Sequence, residues 1–179
     1  SIAGEDGLFI GTDMLYRNDM NDSIYYVEKC RELNIGLSAS IFEPSFLKFI
    51  LAYYRAGKLP AGTMVKFYFG ADNLSFGMPP TAASLNAYLG MMGDCELPWL
   101  VSSFGDDCVA CGIAEEAIRL GGHVQVGLEP YSGDRTPSNV ELVAEVVALA
   151  KQYDRPIATP AMAAKMLDLP TYPVSYCVS

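Results

Sequence analysis

Charge is scarce in this chain of 179 residues: only 18% of positions are Asp, Glu, Lys or Arg. A natively unfolded polymer needs far more, so that class is excluded. Basic residues are the scarcer sign, 12 against 21 acidic, and the net charge is −9. Phosphate binding requires a basic footprint, so nucleic acid is excluded as a partner. No apolar run reaches the roughly 20 residues of a bilayer span, and no membrane partner is expected. There is a single histidine, His123, so the chain cannot supply the imidazole pair that many metal centres use. The five cysteines are odd in number and irregularly spaced, which fits reduced thiols in the cytoplasm better than a disulfide framework. Ser1 is not an initiator and no signal-peptide pattern follows it, so the expectation is a start inside a longer or processed chain.

What is present is apolar. Hydrophobic residues make up 51% of the chain, enough for one substantial core, and no shift in composition divides residues 1–179 into two domains. Strand and helix signals alternate. Gly7–Asp13 reads as a strand, followed by a helix that Ser23 can cap and that runs to about Leu33. Ile35–Ile41 is a second strand; Pro44 then fits the first turn of a helix running to Ala56 and stopping at Gly57. Met64–Phe69 is a third strand, ending at Gly70, and the G-M-P-P connection leads to a helix capped by Thr81. Trp99–Ser103 is a fourth strand, with a helix from Asp106 or Asp107 to Leu120. His123–Glu129 is a fifth, and helices capped by Ser138 or Asn139 and by Thr159 complete the pattern. The tyrosines at 25, 26, 53 and 54 fall on helices and read as packing residues.

Repeated strand-then-helix units imply a parallel sheet with right-handed crossovers. Five units are too few to close an eight-stranded barrel, which takes about 250 residues. The chain is therefore an open sheet or the latter part of a barrel. In such folds ligands sit beyond the carboxyl ends of the strands. An extended His123–Glu129 places His123, Gln125, Gly127 and Glu129 on one face, with Val124, Val126 and Leu128 toward the helices. Glu129 is thus the leading functional residue. His123, entering its strand behind two glycines, reads as a residue satisfied by backbone groups. Cys108 and Cys111 have redox spacing, but Asp106 and Asp107 oppose thiolate formation. Lys66 on a strand raises the idea of a Schiff base, with no further support.

Several segments together resemble the β-keto acid cleavage enzymes, the family that includes 3-keto-5-aminohexanoate cleavage enzyme. They are G-G-H-V-Q-V-G-L-E at 121–129, S-N-V-E-L-V-A-E-V-V-A-L-A at 138–150, R-P-I-A-T-P-A-M-A at 155–163 and G-M-P-P-T at 77–81. The resemblance implies a (β/α)8 TIM barrel of which this chain supplies the fourth to eighth units. It implies zinc or another divalent metal, held by Glu129 and by two histidines on an earlier strand that this chain lacks. It also implies a reaction of a β-keto acid with acetyl-CoA, giving acetoacetate and a new CoA thioester, in a cytoplasmic homo-oligomer.

The site departs from the family pattern. Gln125 stands where the family carries a catalytic arginine, and Pro130 where it carries the aspartate that positions that arginine. Ser38 and Ser40 replace acidic residues, and Asp106 stands where a basic residue is common. Gln125 is the altered catalytic position, with Thr12 and Ser40 as substrate-binding candidates at other strand ends. An inactive barrel kept for binding or assembly, and a Schiff-base aldolase acting through Lys66, are the alternative readings. This chain alone, with two open sheet edges, is expected to be inactive and to associate.

Overall fold

In the computed structural model, the described residues are Arg17 and 19–169. The expected strand Gly7–Asp13, and Thr12 with it, lies outside them. The order is α1 (Met20–Glu32), β1 (Ser38–Ile41), α2 (Pro44–Arg55), β2 (Met64–Gly70), α3 (Ala82–Met92), β3 (Trp99–Phe104), α4 (Ile113–Arg119), β4 (His123–Val124), α5 (Asn139–Gln152) and α6 (Pro160–Met166). The four strands form one parallel sheet in the order β1-β2-β3-β4. Each strand thus lies beside its predecessor in the chain, the winding of a barrel wall rather than of a doubly wound sheet. The described residues form an α/β domain consistent with part of a TIM barrel.

One face of the sheet is apolar and covered by helices. Ala39, Ile41, Val65, Phe67, Phe69 and Val101 point to that face and pack with Leu47 and Ile50 of α2, Leu85 and Tyr88 of α3, and Ile113 and Ala117 of α4. The period of two puts Ser40, Lys66, Tyr68, Leu100, Ser102, His123 and Gln125 on the other face. Register confirms the rows: Ser40 is beside Lys66, Lys66 beside Leu100, and Leu100 beside His123. Tyr68 is beside Ser102, one step further along.

Helix ends follow the capping signals. The Thr81, Ser138 and Thr159 side chains each accept a backbone N–H of the first turn, and Ser138 with Glu141 completes a capping box. Pro44 and Pro160 open their helices. Four expectations are corrected. Asp19, not Ser23, caps α1, because its carboxylate reaches Asp22 N while Ser23 already lies inside the helix. Gly112, with φ +85°, breaks the segment after Asp106, so α4 begins at Ile113 and Cys108 and Cys111 precede it. The strand expected over His123–Glu129 pairs only at His123–Val124, and Leu128 is exposed because Asn139 Oδ1 draws its N–H away from the sheet at 3.1 Å. Tyr25 and Tyr26 are exposed, resting on each other edge to face, whereas Tyr53 packs on Phe49 and Tyr54 Oη accepts the N–H of Glu96.

Candidate active site at the carboxyl ends of the strands

At the carboxyl ends of the strands the site is built from neutral groups and rings. Gln125 continues the β4 pairing by one residue, donating its N–H to Val101 O at 2.9 Å. Its side-chain Oε1 accepts the Tyr68 O–H at 3.3 Å, which leaves the amide N–H2 free to donate to a ligand oxygen. Ser102 stands between them in the same row, fully buried, and its hydroxyl has no partner among the described residues.

Above this row sit three phenylalanine rings. Phe42 leaves β1 and stacks on Tyr68 with centroids 4.9 Å apart. Phe104 ends β3 and meets Tyr68 edge to face at 5.1 Å. Phe76 arrives from the loop after β2, 5.7 Å from Phe42 and 6.3 Å from Phe104. That loop can fold back because two glycines meet: Gly77 has φ +79°, and a β-carbon there would lie 2.8 Å from Gly70 N. Glu43 holds the fold-back, its carboxylate accepting Gly77 N–H at 3.1 Å. Lys66 lies one row lower, with its ammonium 5.2 Å from the Tyr68 centroid.

Glu129 is exposed in the turn that follows β4, on the same rim. Its neighbour Pro130 offers its carbonyl to Gly105 N, just past the end of β3. His123 pairs with Leu100, five residues earlier on β3, so at about 3.3 Å per residue it lies roughly 16 Å away along the strand. His123 and Glu129 therefore do not share an ion. Burial, helped by Arg155, lowers the His123 pKa. Among the described residues, no three His, Cys, Asp or Glu side chains come together as metal ligands. The described residues thus do not fit the metal that the resemblance implies. Ser40, half-buried on β1, borders a groove of about 560 Å³ between α1, β1 and α2.

Cys108 and Cys111 are free thiols, and burial pushes Cys108 up to about 12 and Cys111 upward as well. Neither is a poised nucleophile.

Sequence reasoning missed two features. The aromatic cluster joins residues as many as 62 positions apart, with no local period to betray it. The loop after Glu129 is also clamped: Arg135 donates to Asp107 at 2.6 Å and to Glu145 at 2.6 Å. Asp107 also caps the turn before α4, accepting the N–H groups of Val109 and Ala110. Burial works to raise the Asp107 carboxyl, but the bonds from Arg135, Ala110 and Val109 outweigh it and hold it below its ordinary value. A lowered carboxyl pKa stabilises the fold above the unfolded value of about 4, and the benefit is lost as pH falls through the folded value. Asp107→Asn is expected to cost about 1–2 kcal/mol at neutral pH. Urea titrations should show that deficit shrinking below about pH 4; a deficit unchanged in acid would contradict the clamp.

The model of the family described as beta-keto acid cleavage enzyme matches residues 3–169. The 3-oxoadipate:acetyl-CoA acetyltransferase of Cupriavidus necator is 31% identical over 136 residues, covering 73% of this chain and 46% of that protein. The 3-keto-5-aminohexanoate cleavage enzyme of Acetoanaerobium sticklandii is 28% identical, covering 93% of this chain and 58% of its own length. The enzyme of the same name from Fusobacterium nucleatum is 27% identical, covering 93% and 57%. The chain thus spans about half the length of the curated relatives it matches. With residues 3–169 of the chain matched by the family model, the chain belongs to the beta-keto acid cleavage enzyme family.

Proposed function

We propose that the protein carrying this chain transfers an acyl group between a β-keto acid and acetyl-CoA. The bond between C2 and C3 of the keto acid breaks, and its CH2–COO⁻ fragment joins the acetyl group as acetoacetate. The acyl group left behind is taken by CoA as a thioester, so no water is consumed. The observation that carries this reading is the family match over residues 3–169. The relatives' names, one an acetyl-CoA acetyltransferase and two β-keto acid cleavage enzymes, support the same substrates.

In this reading Gln125, just past β4, is the catalytic position. Its amide N–H2 donates to the oxygen on which charge gathers as the carbon–carbon bond changes, and the Tyr68 hydroxyl fixes which end of the amide faces the substrate. Preorganised donors of this kind replace part of what an arginine would supply, without its charge. Ser40 and Thr12 are substrate-binding positions on neighbouring strands; Thr12 lies outside the described residues. Glu129 is the position for a ligand to zinc or another divalent metal, whose other ligands the described residues do not supply.

The cytoplasm as location is supported by free thiols at Cys30, Cys95, Cys108 and Cys111. No helix of the described residues is long and apolar enough to cross a membrane. A homo-oligomer is supported by exposed Val140 and Val143 on α5.

The test is acetoacetate formation from a panel of β-keto acids, with and without acetyl-CoA. Product that depends on acetyl-CoA is expected, and its absence from a folded full-length protein contradicts the reading. The role of Glu129 has its own readout. Glu129→Gln should cut bound zinc at least about tenfold, whereas unchanged metal content would remove Glu129 from the ligand set.

A further inference from the structure

Among the described residues, one half-buried cation has no anion beside it. Two Lys or Arg residues besides Lys66 are half-buried, and each is supplied with oxygen. Lys29 pairs with Glu32 at 2.6 Å, and Arg155 donates to the carbonyls of Ile118, Gly121 and Gly122. The other described Lys and Arg residues are exposed. Lys66 is half-buried on β2, and none of the ion pairs among the described residues includes it. Its ammonium rests 5.2 Å from the centroid of the Tyr68 ring. A ring face offsets part of the water that a half-buried ammonium loses, but a carboxylate offsets more.

The surroundings admit an anion. The four strands contain no Asp or Glu, and Lys66 is their one Lys or Arg. Ser40, half-buried, is the register partner of Lys66 on the neighbouring strand and brings a hydroxyl donor to the same row. Gln125 lies two strands and one row from Lys66, roughly 12 Å between α-carbons at ordinary sheet spacings. The two side chains can cover part of that distance, and a short carbon chain covers the rest.

We propose that Lys66 is the anion-recognition residue of the site, pairing with a second carboxylate at the far end of the keto acid, so that the preferred substrates are short β-keto dicarboxylic acids. The inference rests on the proposed reaction, and it deepens it by naming the substrate class. The carboxylate common to all β-keto acids is attached to C2, one end of the bond that breaks, and it stays near Gln125 with that bond. A second carboxylate, two methylenes beyond the keto carbon, reaches the Lys66 ammonium and the Ser40 hydroxyl. A tail ending in an ammonium meets like charge there, and an alkyl tail leaves the lysine without an anion.

Binding decides this separately from turnover. Calorimetry with the purified full-length protein, without acetyl-CoA, should compare 3-oxoadipate with 3-oxohexanoate, which has the same carbon chain and a methyl group in place of the second carboxylate. The diacid is expected to bind at least about tenfold tighter. Lys66→Met, which keeps the stem and removes the charge, should erase most of that preference while leaving 3-oxohexanoate binding and circular dichroism nearly unchanged. Lys66→Arg, which keeps the charge in a different shape, should retain part of it. Should Lys66→Met not fold, Lys66→Gln repeats the test with a polar side chain. Equal binding of the two acids, an equal loss for both in the uncharged variant, a preference that survives that variant, or no keto acid binding at all overturns the assignment. If the diacid binds through Lys66 but is not converted with acetyl-CoA, the recognition stands and the proposed reaction falls. If both acids are converted and bind equally, the reaction stands and the recognition falls.

Discussion

Replacing Gly122 by alanine is expected to destabilise the protein by about 3 kcal/mol. For a domain of this size, that is a fall of roughly 6–12 °C in Tm. Gly122 enters β4 directly beneath the indole of Trp99, and a β-carbon there would overlap the ring atoms Cζ3, Cη2 and Cε3. Trp99 cannot simply swing aside, because it leans on Phe67 in the core, 6.1 Å between centroids. Relief would come from shifting β4, which is held to β3 by only two paired residues. The consequence reaches the site, since Gln125 follows that short pairing. Thermal melts and urea titrations check the cost; a loss under about 1 kcal/mol would mean that the indole is free to move.

The second large effect falls on chemistry. Gln125→Leu should lower kcat/KM for acetoacetate formation by about 100-fold or more, the usual loss when one preorganised donor is removed from a developing oxyanion. The side chain is only half-buried and, among the described residues, its hydrogen bond is to Tyr68, so the variant should fold normally. Tyr68→Phe keeps the ring stack and removes only the hydroxyl that orients the amide. Its loss should be smaller, about tenfold, and should appear mainly in kcat. Full activity in Gln125→Leu would return this position to a mere contact.

Much of the architecture can be read from local chemistry. Thr81, Ser138, Thr159, Pro44 and Pro160 announce helix starts because capping and fixed φ are properties of one or two residues. Met64–Phe69 is legible as a strand because its core face is Val65, Phe67 and Phe69. The errors arise where tertiary partners override the local pattern. β4 alternates well beyond Val124, yet Asn139 of the next helix takes the N–H of Leu128 and turns the chain out. Asp106 and Asp107 read as a helix start, but Gly112 delays it and Asp107 serves Arg135 instead.

The site divides in the same way. Gln125 and Glu129 draw attention because they close a segment that resembles a known family; Gln125 lies one residue past β4 and Glu129 in the exposed turn after it, and their roles are proposals. The aromatic cluster is not legible, because only the parallel pairing of β1, β2 and β3 brings Phe42, Tyr68 and Phe104 to one end of the sheet, and only the meeting of Gly70 with Gly77 brings Phe76 to them. The clamp of Arg135 on Asp107 and Glu145 spans 28 and 10 residues and has no sequence signature.

The most direct measurement follows a label from acetyl-CoA. With the full-length protein and acetyl-CoA carrying ¹³C in its acetyl carbonyl, all of the label should appear at the keto carbon of acetoacetate. None should appear in the new thioester, and in H₂¹⁸O no free carboxylic acid should be released from the substrate's acyl part. Label in the thioester, or a free acid released from the substrate's acyl part, would show a different bond being made and would contradict the proposed reaction.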